Sequence, residues 1–192
     1  MQEIGSAPHP HTGKGPHMLP DDLVGSPNEA RISIEGDTVV GLLDTGSQVS
    51  TISRSYVHNL NKSVKPLGDL LRVDNASGLE MAYDGYVDLD VNLAPEHPEC
   101  KCTVPFLVVP DTDYHQKVPV LIGVSVIRHF ADTATEYAGE NFAQKLQVPS
   151  AVHLGVRSVK LQQRHLEKSK GVVADVKVFQ QETIPAHSSL VI

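Results

Sequence analysis

Asp44, Thr45, Gly46 and Ser47 follow directly on the apolar run Val39-Val40-Gly41-Leu42-Leu43. A carboxyl at that place sits on a glycine-assisted turn at the end of a buried strand. Water is thinned there, and the proton affinity of the group becomes adjustable. Carboxyls of this kind do general acid–base work, in which one ionised group takes a proton from water and one protonated group donates to a carbonyl oxygen. Turns are full of Asp and Gly, so the tetrapeptide takes its meaning from its surroundings. The plain structural alternative is an Asp44 that only caps a turn in an unrelated β domain.

Other residues with chemical potential point to little. Cys100 and Cys102 on one strand would face the same way, a geometry that rarely forms a disulfide. With His97 they could approach a metal, but no second ligand pair stands at a suitable spacing, and two reduced cysteines on a strand is the reading adopted. His9, His11 and His17 are too irregularly spaced for a metal site. Neither a metal nor a cofactor is therefore expected. The net charge of -7 and scattered Lys and Arg argue against a nucleic-acid surface. The one thin basic cluster, Lys160, Arg164, Lys168 and Lys170, reads as a solvated helical face rather than a phosphate patch. No apolar core follows the first charges as in a signal peptide, and no run is long enough to cross a bilayer. A reducing, soluble compartment, the cytoplasm, is the expected setting, with no membrane partner.

The elements that must position Asp44 are short strands. Residues 1–28, rich in Pro, Gly and His without a hydrophobic period, read as a disordered tail. Arg31 to Glu35 alternates like a half-buried strand, Gly36-Asp37 suits a two-residue turn with Gly first, and Thr38 to Leu43 returns to deliver Asp44. Val49 to Ile52 is a further short strand, and Ser53 caps a brief helix over Arg54 to Leu60. Leu70 to Val73 and Leu79 to Tyr83 are the arms of a hairpin with Asp74 to Gly78 at its tip. Val87, Leu89, Val91 and Leu93 alternate with Asp88, Asp90 and Asn92, one face dry and one wet. Thr103 to Val109 and Val118 to Ile122 are apolar strands, the second ending at Gly123 before one or two helical turns over Val124 to Phe130. Short strands at this spacing, with an apolar content of 40%, predict an all-β sandwich or barrel. After Ala131 the pattern becomes mixed, with helix over Glu140 to Leu146 and Val156 to Lys168 and a strand over Val172 to Val178. The apolar end at Leu190-Val191-Ile192 suggests a fragment of a longer polypeptide.

A strand delivering Asp-Thr-Gly-Ser, a short strand and helix, a hairpin with a small tip, and then Val120-Leu121-Ile122-Gly123 before a helical turn resembles the retropepsin family. These are the aspartic proteases of retroviruses and long-terminal-repeat retroelements. The resemblance covers residues 29–131. Glu182-Thr183-Ile184-Pro185-Ala186-His187-Ser188-Ser189 also looks like the segment leading into reverse transcriptase in Ty3-like polyproteins, so residues 132–192 would be an extension toward a further domain.

The resemblance implies an acid-protease barrel with one lobe per chain, one short helix, and a homodimer that brings two copies of Asp44 together over a peptide or polyprotein substrate. It implies that Thr45 locks the facing loops through its hydroxyl. Gly46 would admit close substrate approach, and Ser47 would donate toward the carboxylate. Leu121, Ile122 and Gly123 would pack behind the catalytic loop, while Asn75, Ala76, Ser77 and Gly78 would form the closing flap. Known viral members pair an Asp after the tetrapeptide with an Arg after the apolar-apolar-Gly motif. This chain has Gln48 and Val124 there, and Ser125 where Asn or Asp is usual. The other reading carried forward is a retropepsin-like module that dimerises or binds peptide without catalysis.

Overall fold

The computed structural model describes residues 25–68, 71–75 and 78–171. Six strands close into one barrel in the order β1-β2-β6-β3-β5-β4. They are β1 Glu29–Ile34, β2 Asp37–Leu43, β3 Thr51–Ser53, β4 Gly85–Asn92, β5 Cys102–Val109 and β6 Val120–Ile122. Two pairings are parallel, β2 with β6 and β3 with β5, and the remainder antiparallel. The parallel β2–β6 pair sets Leu43 beside Ile122, which brings the two sequence motifs together although some eighty residues of chain separate them.

Alternation along the strands fills the interior. Val87, Leu89 and Val91 of β4 point inward and are buried, as are Ile32 and Ile34 of β1, Ile52 of β3, and Phe106 and Val108 of β5. The outer face of β4 is acidic and tied down by neighbours. Asp88 accepts from Lys65 at 2.6 Å, and Asp90 accepts from Lys101 at 2.9 Å and from Thr103 at 2.6 Å. The β1–β2 turn sits one residue earlier than expected. Ile34 already pairs with Asp37, so Glu35 and Gly36 are the central residues, with φ of 54° and 95°. Positive φ at both is the type I′ arrangement, which suits the twist of an antiparallel pair and needs Gly only at the second place.

Helices stand where they are expected, one short helix in the barrel and others from Val124 onward, and two of the later ones run longer than expected. Helix α1, Arg54–Asn59, is capped by Ser53, whose hydroxyl accepts from the Tyr56 N–H at 3.4 Å. Helix α2 runs through Val124–Ala138, well past Phe130, because Val126, Ile127, Phe130, Ala131 and Ala134 make a continuous buried stripe along it. It ends where Gly139, at φ 78°, turns its N–H back to the Thr135 carbonyl at 2.7 Å. Helices α3, Phe142–Lys145, and α4, Ser150–Gly171, complete the described part of the extension. Val152, Val156 and Val159 bury one face of α4, which packs on α2, β1 and β2. The rings of Phe130 and Phe142 meet edge to face at 6.2 Å. The boundary expected at residue 131 thus falls inside α2, and the described extension is helical and seated on the barrel.

Cys100 and Cys102 do not share a strand. Cys100 closes the 3-10 turn Pro98–Cys100, whose first position is a proline, and Cys102 opens β5. Both are free and buried, and burial pushes the Cys102 thiol up to about 11. Among the described residues, no helix is long and apolar enough to cross a membrane. Residues 1–24 of the expected tail, the strand expected over Val172 to Val178 and the segment Glu182 to Ser189 lie outside the described residues.

Candidate functional site

Leu43 is the last residue of β2, and the chain must turn there because β6, its parallel neighbour, ends at Ile122. The turn is anchored on both sides. Leu43 N–H donates to the Asn28 carbonyl at 2.8 Å while Asn28 Nδ2 donates to the Leu43 carbonyl at 2.9 Å. Asp44 N–H donates to the Ile122 carbonyl at 2.9 Å. The Asp44 carboxyl is thereby fixed at a half-buried position, and its Oδ1 accepts the Gly46 N–H at 2.8 Å. A Cβ at Gly46 would stand 3.2 Å from that same oxygen, so glycine keeps the approach to the carboxyl open.

Behind this turn lies β6 with the start of α2. Leu121 is half-buried and reaches the cleft, and Ile122 is wholly buried. A Cβ at Gly123 would fall 2.2 Å from the Val49 carbonyl oxygen and 3.0 Å from that of Ser47. Only glycine lets the two backbones touch. Their contact is hydrogen-bonded: Gly123 N–H donates to Ser50 Oγ at 2.9 Å, and Val124 N–H donates to the Ser47 carbonyl at 2.8 Å. The hydroxyl of Ser47 does not donate to Asp44 as the resemblance implied. Its proton goes to the Val49 carbonyl at 2.7 Å, which stiffens the loop instead. Thr45 is half-buried, and its hydroxyl finds no hydrogen-bond partner among the described residues.

Opposite the turn stand the hairpin arms. Met81 N–H donates to the Val73 carbonyl at 2.7 Å and Asn75 N–H to the Leu79 carbonyl at 2.8 Å. Near the tip, Gly78 N–H donates to the Asn75 carbonyl at 2.9 Å, with Gly78 at φ 75°, and Leu79 N–H donates to Asn75 Oδ1 at 3.0 Å. Ala76 and Ser77 lie outside the described residues. Tyr83 pins the first arm by donating its hydroxyl to the Leu71 carbonyl at 2.5 Å.

The arms and the turn enclose a cleft of about 640 Å³ with Asp44, Gly46 and Ser47 on one side and Leu71, Val73, Asn75 and Met81 on the other. A second hollow of about 400 Å³ adjoins it at Gln48, Val49 and Leu71 and is walled by Leu67, Tyr86 and Leu107. A partly dry carboxyl at the wall of a cleft roofed by a hairpin has the geometry for acid–base work on an extended chain. Sequence reasoning named Asp44 and the hairpin tip but missed the cleft walls Val49, Leu71, Val73 and Met81. Leu71 and Val73 alternate along the arm, a period-two signal that could have found them. Among the described residues, no group of three or more His, Cys, Asp or Glu could hold a metal ion.

Residues 30–126, from β1 into α2, match the aspartyl protease family. No curated protein matches the sequence. Among solved structures, the chain is similar to the EIAV protease complexed with the inhibitor HBY-793, at 13% identity and a TM-score of 0.42, over 54% of this chain and 86% of that one. It is also similar to the retroviral protease-like domain of Ddi1 from Leishmania major, at 17% identity and a TM-score of 0.37, over 55% of this chain and 78% of that one. A retropepsin-like aspartic protease from Rickettsia conorii gives 16% identity and a TM-score of 0.37, over 52% of this chain and 76% of that one. On the match that spans its strands and both motifs, the chain belongs to the aspartyl protease family.

Proposed function

We propose that the chain is a retropepsin-like endopeptidase of retroelement type whose site is completed by a second copy. One chain supplies one Asp-Thr-Gly, whereas carboxyl-driven amide hydrolysis needs an ionised and a protonated group together. A two-fold axis through the turn supplies the second from the same sequence. Two carboxyls that close share one proton, the established behaviour of aspartic proteases, and they titrate as a unit. The ionised Asp44 takes a proton from water, whose oxygen attacks the scissile carbonyl. Asp44 of the partner subunit gives its proton to the carbonyl oxygen. Collapse of the tetrahedral species breaks the C–N bond as a proton passes to the departing nitrogen.

The observation that carries this reading is the position of Asp44, fixed by backbone bonds on the wall of the hairpin-roofed cleft. The Thr45 hydroxyl, without a hydrogen-bond partner among the described residues, suits a bond to the facing loop of a twin chain. The hairpin arms serve as the flap that closes over peptide. The apolar hollow at Val49 and Leu107 favours apolar side chains in the substrate. Two buried free cysteines suit the cytoplasm. The test is cleavage of a peptide library by the wild-type chain and by Asp44→Asn, with and without a statine-type inhibitor. Asp44→Asn should lose about 10²–10⁴-fold in rate, and wild-type specific activity should fall on dilution. Equal cleavage by both proteins refutes the assignment. Peptide binding without cleavage in the wild type would leave the non-catalytic module.

A further inference from the structure

The aspartyl protease match ends at residue 126, in the first turn of α2, so α3 and α4 lie beyond it. They are nevertheless built into the barrel. Phe142, Val152 and Val156 belong to one buried core with Leu43, Ile122 and Ile127. Polar contacts fix the pose. His97, in the loop between β4 and β5, places its Nε2 2.7 Å from the Leu146 carbonyl oxygen, and Lys160 of α4 donates to Thr135 Oγ1 of α2 at 3.3 Å.

Gly155 is where α4 meets the Asp44 turn. It is buried, and a Cβ there would stand 3.6 Å from Ile127 Cδ1 and 4.0 Å from Leu43 Cδ1. Those two side chains belong to opposite sides of the seam that carries Asp44. Leu43 is the residue from which Asp44 springs, and its own N–H and carbonyl are both bonded to Asn28. Ile127 N–H donates to the Gly123 carbonyl at 3.1 Å, one helical turn on from the glycine that meets the catalytic loop. Close-packed interiors transmit displacement rather than absorb it. A helix resting on both sides of a seam therefore fixes the spacing between them. An alanine at 155 would make ordinary contact, whereas each carbon beyond Cβ must displace Leu43 or Ile127.

From this contact we propose that α4 is part of the catalytic unit, and that Gly155 is a positioning residue that holds the Asp44 turn in place through Leu43 and Ile127. The catalytic consequence rests on the endopeptidase reading, while the packing does not. The helices after α2 are then a working part of the site rather than only a lead toward a further domain.

The test sets Gly155→Val and Gly155→Leu in the full chain beside Leu154→Ala, a control on the same helix at a side chain that is 60% exposed. A folded Gly155→Leu protein should lose about tenfold to 10²-fold in kcat with KM nearly held, because the carboxyl shifts while the hairpin walls of the cleft do not. Amide exchange followed by NMR separates positioning from a general loss of stability. The Asp44 and Val124 N–H groups, bonded to Ile122 and Ser47, should exchange about tenfold or more faster in the valine or leucine variant, while amides of the β4–β5 pair change little. Should neither variant fold, the wild-type chain decides. In native-state exchange with urea, Asp44 N–H should lose protection in the same opening that releases Val156 and Val159 of α4. The proposal is overturned by a folded Gly155→Leu protein with the kcat of Leu154→Ala, by a uniform change in exchange across the chain, or by an α4 that opens while Asp44 stays protected. A wild-type chain that cleaves no peptide refutes the endopeptidase reading instead, and the exchange results then decide whether α4 holds the turn.

Discussion

Gly123→Ala tests the backbone contact on which the Asp44 turn rests. Gly123 has φ of -86° and ψ of 178°, which alanine adopts freely, so any effect is steric and not conformational. The added Cβ falls 2.2 Å from Val49 O and 2.6 Å from Val49 C. The first lies about 1 Å or more inside an unstrained nonbonded approach of ~3.5 Å, and the obstacle is backbone that cannot rotate away. Relief requires the loop at residues 47–50 to separate from β6 and α2. Three bonds bridge that seam, from Gly123 to Ser50 Oγ at 2.9 Å, from Val124 to Ser47 at 2.8 Å and from Asp44 to Ile122 at 2.9 Å. Losing two costs about 2 kcal/mol, and overpacking adds about 1–3 kcal/mol. The sum, about 3–5 kcal/mol, lowers Tm by roughly 6–20 °C for a chain of this size. Because the seam carries Asp44, peptide cleavage should also fall, by about 10²-fold for a displacement near 1 Å. The assay is a thermal melt with a cleavage rate, set beside Gly25→Ala, where no atom lies within 4 Å of the new Cβ. A Gly123→Ala protein that melts and cleaves like the Gly25→Ala control refutes the reasoning.

Three further outcomes follow from other parts of the molecule. Gly155 lies inside α4, where an added Cβ would make ordinary contact at 3.6 Å with Ile127 Cδ1, so Gly155→Ala should stabilise by about 0.5–1 kcal/mol in a urea titration. The Arg54 guanidinium holds the Asp84 carboxyl below its ordinary range, the Thr103 hydroxyl and Lys101 do the same for Asp90, and the Ser55 hydroxyl does so for Asp111. Folded values below unfolded ones mean stability that is complete above about pH 4 and lost as pH falls through the depressed values. The effect is modest because these groups face solvent, but Arg54→Ala should raise the NMR-titrated Asp84 midpoint and leave that of Asp90 unmoved. Burial keeps Cys102 protonated, with its pKa pushed up to about 11, and raises that of Cys100 as well, so neither thiol should react with Ellman's reagent at pH 8 until denaturant is added. Rapid native labelling of either would contradict the packing.

The strands were legible wherever one face is packed and the other wet. Val87 to Val91 announces itself because Asp88 and Asp90 stand between buried neighbours. The β1–β2 turn was misplaced by one residue because the rule applied placed glycine first, whereas Glu35 accepts φ of 54° and Gly36 comes second. Cys100 was assigned to a strand because the pattern Cys-x-Cys was weighed without the 3-10 turn that Pro98 opens. The length of α2 escaped for a different reason. Its later buried positions are Ala131 and Ala134, whose small side chains add little to a hydrophobic period, and their partners on α3 and α4 arrive only through tertiary packing. For the site, the motif fixed where Asp44 lies in the chain. The hydrogen bond that Ser47 chooses is a matter of loop geometry, which no spacing encodes.

The loop geometry also bears on Gln48 and Val124. The resemblance implies that viral relatives join the catalytic loop to the following helix with an ion pair at these two places, and this chain has neither charge. Gln48 is exposed here and Val124 half-buried. The same two elements are nevertheless joined. Val124 N–H reaches the Ser47 carbonyl, Gly123 N–H reaches Ser50 Oγ, and Ser50 Oγ lies 3.5 Å from Ser125 Oγ. Neutral bonds of this kind contribute about 1 kcal/mol each without the desolvation that a partly buried ion pair must offset. Removing one charged partner from a pair leaves the other stranded, whereas loss of both leaves nothing to neutralise. The absence of both charges is therefore compatible with a rigid turn, since the join from loop to helix passes through main chain and serine hydroxyls. It follows that the attachment of Asp44 to its barrel should resist salt, and that Ser50→Ala, which leaves the buried Gly123 N–H unpaired at a cost of about 1–3 kcal/mol, should weaken it far more than Gln48→Ala on the exposed side of the same loop.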